Sequence, residues 1–253
     1  MIEYNEFIYL DVYRTGSTHV FRLFDEVVNH KPVKAFRHAS LTKGRPLGTT
    51  GGKTVFATVR NPWDWYVSLW AYGSDGKSAI RRHLDPHMGE SDMAALYDKD
   101  DPKASFSRWL RMMHDPAELN RVMKEHLPES GLAPVIGLYT YRFLRVTTRW
   151  PRLLLRKPLV TGSDSAVKHL SRFGAYDVLM RNETLTEDLV RFAERFPGSF
   201  KADAVKVIRA ADAKPKNTSS RSLASYREYY SDEDAALVAE RDGFFVKEFG
   251  YSF

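Results

Sequence analysis

The chain has 253 residues, 28% of them charged and 43% hydrophobic, with no cysteine and a net charge of +6. That length suits one α/β domain or two small ones with a substantial core. The absence of cysteine excludes disulfides, thiolate nucleophiles and Cys-based zinc sites, and the basic balance favours anionic ligands.

The first residues, Met1 to Glu6, are acidic and run straight into a strand. No basic region and long apolar region precede it, so a secretory leader is not expected. No stretch is apolar for long enough to span a membrane, and the expectation is a cytoplasmic protein. Phe7 to Val12 reads as a buried strand, an apolar run of β-formers. Ser17 to Asn29 reads as a helix with Val20, Leu23, Phe24, Val27 and Val28 on one face. Lys34 to Phe36 is a short strand candidate, and Gly44 to Lys53 is turn-rich. Thr54 to Val59 is the next strand. Pro62 suits a first helical turn, and Trp63 to Tyr72 continues the helix. Gly73 to Lys103 is polar and acidic and reads as an insertion or mobile surface segment. Helical patterns return over Phe106–Met113 and Ala117–His126. Tyr176–Met180 reads as a late strand, Leu185–Phe196 as a helix, and Ser231 as the N-cap of a final helix to Phe249. Alternating strands and helices imply an α/β fold, a central, mainly parallel sheet flanked by helices, in a single domain over residues 1–253.

Two stretches carry chemistry. Arg14-Thr15-Gly16-Ser17-Thr18 links a strand to a helix. Backbone N–H groups of such a turn and of the helix start converge on one point and hold a phosphate or sulfate. Gly16 permits close approach, Ser17 and Thr18 add hydroxyls, and Arg14 adds a fixed charge. The same residues also describe an ordinary βα turn. The second stretch is Arg60-Asn61-Pro62-Trp63-Asp64-Trp65-Tyr66-Val67-Ser68. The strand before it delivers Arg60 to its C-terminal end, where open α/β sheets bind ligands. Ser68 lies two helical turns on.

Together these resemble the two-part cofactor site of sulfotransferases that use 3′-phosphoadenosine 5′-phosphosulfate (PAPS). In that family a Lys-(Thr/Ser)-Gly-(Thr/Ser)-(Thr/Ser) loop binds the 5′-phosphosulfate, and an Arg and a Ser at the Arg60/Ser68 spacing hold the 3′-phosphate. Val59-Arg60-Asn61-Pro62 and Arg181-Asn182-Glu183-Thr184-Leu185-Thr186-Glu187-Asp188 are similar to further family segments. Tyr229-Tyr230-Ser231-Asp232-Glu233 and Phe249-Gly250-Tyr251-Ser252-Phe253 resemble the tail of carbohydrate-type and bacterial members. The resemblance covers about the first seventy and last eighty residues. It implies a P-loop NTPase-like sulfotransferase fold, PAPS as co-substrate with no metal, and a hydroxyl acceptor, read from the tail as a sugar or polysaccharide, without nucleic acid. It implies that Arg14 assists the leaving phosphate and that His38 is the general base. Arg14, Thr15, Gly16, Ser17, Thr18, Arg60 and Ser68 would hold the cofactor, with Lys216 and Arg221 from a late basic loop. The family usually has lysine where this chain has Arg14, and the two are not interchangeable at a tight site.

Other features compete. Gly48-Thr49-Thr50-Gly51-Gly52-Lys53-Thr54 mimics a Walker A loop, but its spacing is one residue short and it leads into a strand. Arg142, Arg145, Arg149, Arg152 and Arg156 would form one basic stripe on an unbroken helix, which Pro151 opposes. His83 and His87 have metal-like spacing with Pro86 between them and no completing carboxylates. A P-loop kinase or phosphotransferase, or a non-catalytic nucleotide- or nucleic-acid-binding protein, are the alternative readings.

Overall fold

Aromatic and β-branched runs make the strands. The structure, a computed structural model, describes residues 1–45, 48–122, 127, 130–155, 159–212 and 220–253. Among them, β1 (Ile2–Glu3), β2 (Phe7–Leu10), β3 (Lys34–Ala35), β4 (Thr54–Val59) and β5 (Val178–Arg181) form one sheet in the order β3-β1-β2-β4-β5. Helices α1 (Ser17–Val27) and α2 (Leu41–Gly44) come between β2 and β4, and α3 (Pro62–Ser74) follows β4. Next come α4 (Ala79–Leu84), α5 (Glu90–Leu96), α6 (Pro102–His114), α7 (Pro116–Val122), α8 (Leu138–Thr147) and α9 (Ser163–Phe173). After β5 come α10 (Leu185–Arg195), α11 (Ala204–Asp212), α12 (Asp232–Arg241) and α13 (Gly243–Phe249).

The chain is α/β, and its contacts gather into two compact units. The first holds Met1–Arg60, Arg142–Pro151 and Arg172–Thr218; the second holds Asn61–Tyr141, Arg152–Ser171 and Ser219–Phe253.

The first unit contains the sheet. Strands β2, β4 and β5 are parallel, with Phe7 opposite Thr54 and Phe56 opposite Val178. Strand β1 is antiparallel to both neighbours, with Ile2 opposite Tyr9 and Ala35. The sheet is therefore mixed, which corrects the expected central parallel sheet. The cause is the short turn between β1 and β2, closed by the Tyr4 N–H to the Phe7 carbonyl at 2.9 Å. A parallel pair would need a crossover of about a dozen residues. The chain leaves β2 toward β3 on one side and leaves β4 toward β5 on the other. The order thus reverses between β2 and β4, and the C-terminal ends of those strands flank the usual ligand crevice of open α/β sheets.

One sheet face is aromatic. Tyr9 stacks on Phe56 with centroids 4.6 Å apart, and Phe7 stacks on Phe200 at 5.7 Å. Val20, Leu23, Phe24 and Val27 of α1 join that cluster with Leu189, Val190 and Phe192 of α10 and Ile208 of α11. The 3.6-residue spacing of the α1 set puts these side chains on one stripe.

The second unit is helical. Trp65 stacks on Tyr139 at 4.4 Å, and Tyr139 on Phe245 at 4.0 Å. Asp242 is fully buried and accepts from the Tyr66 hydroxyl at 2.6 Å and from the Thr140 N–H and hydroxyl at 2.8 and 2.6 Å. Burial raises its carboxyl pKa. A Cβ on Gly137 would fall 2.1 Å from its Oδ2. These bonds fix Asp242 at the junction of α12 and α13, so the single final helix expected over 231–249 is two helices. Residues 73–103 hold α4 and α5, whose Leu84, Met93 and Leu96 are buried; the Leu96 carbonyl accepts from Trp70 Nε1 at 2.9 Å.

Phe7 is fully buried, and Phe192 and Phe196 also contact it at 5.2 and 5.8 Å. Phe7→Ala should cost about 3–5 kcal/mol in urea denaturation. A loss below about 1 kcal/mol would contradict this packing.

Candidate anion-binding and proton-acceptor site

The site lies in the first unit, where β2 ends and α1 begins. Arg14 and Gly16 both adopt positive φ, 59° and 89°. A Cβ on Gly16 would sit 2.8 Å from Asn182 Nδ2 and 2.8 Å from Leu185 Cδ2, side-chain ends that can shift, so the positive φ is what favours glycine here. Gly16 is the N-cap of α1, which has no side-chain cap and no acidic residue in its first turn. The N–H groups of Ser17 and Thr18 have no intrahelical acceptor. This helix start therefore keeps its partial positive charge for an outside anion.

A buried hydroxyl chain anchors the turn. Thr15 Oγ1 donates to the Val12 carbonyl at 3.0 Å and meets Thr58 Oγ1 at 2.6 Å, and Thr58 meets the Tyr9 hydroxyl at 2.9 Å. The Thr15 side chain is thus committed to β4, leaving its backbone for a ligand. Ser17 is buried and its Oγ accepts from Arg37 Nη2 at 3.3 Å; Thr18 is exposed. Arg60, just past β4, donates from Nη1 to the Arg14 carbonyl at 3.2 Å. Beyond β5, Asp188 Oδ2 accepts from the Arg181 N–H at 2.9 Å and the Thr184 hydroxyl at 3.0 Å, which fixes the turn that carries Asn182.

His38 joins this group through Asp11. The Asp11 carboxylate is fully buried and accepts from Arg37 Nε at 2.6 Å, the Met1 amine at 2.8 Å and the His38 N–H at 3.0 Å. His38 Nδ1 lies 2.8 Å from the Asp11 carbonyl oxygen and 3.4 Å from its carboxylate. Both partners are acceptors, so the neutral ring carries its proton on Nδ1 and its lone pair on Nε2. The His38 side chain is 26% exposed. Nε2 is therefore oriented as a base by a backbone carbonyl.

The structure thus gathers Arg14, Thr15, Gly16, Ser17, Thr18, Arg60 and His38 in one unit. Ser68 and Arg221 belong to the other. Ser68 is buried within α3, and Arg221 Nη1 pairs with Asp64 Oδ1 at 2.7 Å. Lys216 lies outside the described residues. Lys53 of the Walker-like stretch donates to Glu3 Oε1 at 2.7 Å and to the Tyr4 carbonyl at 2.5 Å, a structural role at the opposite ends of the strands. Together with Arg45 it holds the Glu3 carboxyl down at about 2. The arginine stripe is cut where α8 ends at Thr147; Arg156 lies outside the described residues. Arg37, Asp11 and Tyr13 have places in the site that the sequence did not assign. Their signal was nearness in the chain: Arg37 adjoins His38, Tyr13 adjoins Arg14, and Asp11 lies three residues before Arg14.

Comparison of the chain with protein-family models, with curated proteins and with solved structures finds no match. No helix among the described residues is long and apolar enough to cross a membrane.

Burial lowers the His38 pKa from 6.5, against the opposing pull of the Asp11 carboxylate. As pH falls through 6.5 the unfolded chain takes up this proton before the folded one does. The His38 contribution to stability is therefore full above 6.5 and is lost as pH falls toward the lower folded value. Its slope is at most about 1.4 kcal/mol per pH unit. His38→Gln should lose less stability than the wild type between about pH 7 and about pH 5. An equal or larger loss would mean that His38 is not held neutral.

Proposed function

We propose that the protein is a PAPS-dependent sulfotransferase with a P-loop-like fold, and that it transfers a sulfuryl group to an acceptor hydroxyl. The observation that supports it is the α1 start, free of any side-chain cap, with the Arg60 guanidinium on its loop and a base-oriented His38 bonded to the same loop. In this reading the N–H groups of Gly16, Ser17 and Thr18 and the Arg14 side chain receive the 5′-phosphosulfate, and Arg60 faces the 3′-phosphate.

The chemistry needs few groups. The acceptor oxygen forms a bond to sulfur while the bond from sulfur to the 5′-phosphate oxygen breaks, its electron pair leaving on the phosphate. His38 Nε2 takes the hydroxyl proton. Arg14 and the loop N–H groups stabilise charge gathering on the leaving phosphate, and most of the acceleration comes from positioning and fixed dipoles. Arg14 keeps the cationic charge that lysine supplies in the family, in a planar and bidentate form. A carbohydrate hydroxyl is the acceptor class that the tail resemblance favours.

Adenosine 3′,5′-bisphosphate should raise the melting temperature well above the shift given by AMP or ATP. Equal shifts for all three would remove the PAPS assignment. Arg60→Ala should weaken the bisphosphate by about 10–100-fold, the worth of a charge-assisted hydrogen bond, while AMP affinity changes little. Equal losses for both nucleotides would make Arg60 a loop anchor alone.

A further inference from the structure

Tyr13, the residue before Arg14, packs against His38. Its ring stacks on His38 with centroids 3.9 Å apart and planes 21° apart. The Arg142 guanidinium also lies over the Tyr13 ring, 4.6 Å from its centroid. Arg145 Nη2 donates to the Tyr13 hydroxyl oxygen at 2.8 Å, with its guanidinium carbon 5.7 Å from the ring. All four residues belong to the first unit. Both arginines come from α8, whose end is tied to the unit by the Ala175 N–H on the Thr147 carbonyl at 2.9 Å.

His38 needs such support. Its φ is 54°, a backbone conformation that side chains disfavour and that persists only where the surroundings impose it. The Asp11 contacts fix its backbone N–H and its Nδ1, but a ring held at one nitrogen is left free to swing about that contact. Stacking on a clamped phenol removes this freedom. The charged groups that face the imidazole are few. Asp11 lies at the end of β2, Arg37 is its chain neighbour, and the Met1 amine shares the Asp11 carboxylate. Arg142 and Arg145 reach it through Tyr13.

We infer that Tyr13, clamped by Arg142 and Arg145, is a positioning residue that locks the His38 ring with Nδ1–H on the Asp11 carbonyl and leaves Nε2 as the proton acceptor. The next residue in the chain is Arg14, so one rigid dipeptide sets both the base and the charge beside the anion. The consequence for turnover rests on the sulfuryl-transfer reading; the consequence for the imidazole does not.

The test begins with ¹⁵N NMR of the His38 imidazole in the full chain without nucleotide. Wild type should show a neutral ring protonated on Nδ1, and Tyr13→Phe, which keeps the stack but loses the Arg145 hydrogen bond, should move from it by no more than Arg145→Gln does. Tyr13→Leu should show exchange with the Nε2–H form and a titration midpoint nearer the ordinary histidine value. Arg145→Gln should move the same way by a smaller amount, and serves if Tyr13→Leu does not fold. An Nε2–H ring in the wild type, or an unchanged tautomer in both Tyr13→Leu and Arg145→Gln, would overturn the inference. In sulfuryl transfer, Tyr13→Leu should lower kcat toward the 10²–10⁴ loss of a missing general base and shift the acid limb of the pH profile upward. Bisphosphate affinity should stay within about threefold of wild type. A fall in affinity with an unmoved pH profile would assign Tyr13 to the loop instead. If no transfer is found while the NMR outcome holds, the sulfuryl-transfer reading fails and the positioning role stands.

Discussion

The buried carboxylate of Asp11 is the constraint on which the first unit's site depends. An ion removed from water must be paired on every side or it destabilises the fold. Here Arg37, the Met1 amine and the His38 N–H all converge on it. Arg37 and His38 come from the segment after β3 and Met1 from the residue before β1, so the carboxylate draws both segments onto the end of β2. The same residue then offers its backbone carbonyl to His38 Nδ1. One aspartate thus solves a folding problem and sets a tautomer. The Arg37 guanidinium that it holds reaches Ser17 at the first position of α1, which carries the constraint into the anion loop.

The turn between β2 and α1 is built by a second, independent device. Thr15, Thr58 and Tyr9 join β2, the turn and β4 through buried hydroxyls, and Arg60 bonds the Arg14 carbonyl from the end of β4. The Thr15 hydroxyl and the Arg14 carbonyl are thereby occupied by the scaffold. What remains for a ligand is backbone N–H at an uncapped helix start, with guanidinium groups around it. That combination suits a multiply charged oxyanion better than a neutral ligand, because fixed dipoles and planar donors gain most from full negative charge.

Much of this was legible in the residues. The strand at 54–59, the start of α1 at Ser17 and Pro62 in the first turn of α3 were all readable from pattern and turn chemistry. Local sequence carries such signals directly. β1 was missed because two residues show no period, and its pairing with β2 made the sheet mixed. The break between α12 and α13 was missed because its cause is tertiary: Tyr66 and Thr140, far away in sequence, hold Asp242 in place. In the site, His38 came from the family resemblance alone. Its real supports, Asp11 below and Tyr13 alongside, are meetings of separate segments that no spacing reveals. Ser68 is buried within α3 and Arg221 pairs with Asp64, neighbours that their motifs do not name.

The central claim is that the start of α1 seats a phosphate or sulfate, and amide NMR during titration with adenosine 3′,5′-bisphosphate tests it most directly. The account predicts saturable downfield shifts of the Gly16, Ser17 and Thr18 amides, with those of Gly48 to Lys53 unmoved. Shifts confined to Gly48–Lys53, or none at the α1 start at saturation, would contradict it.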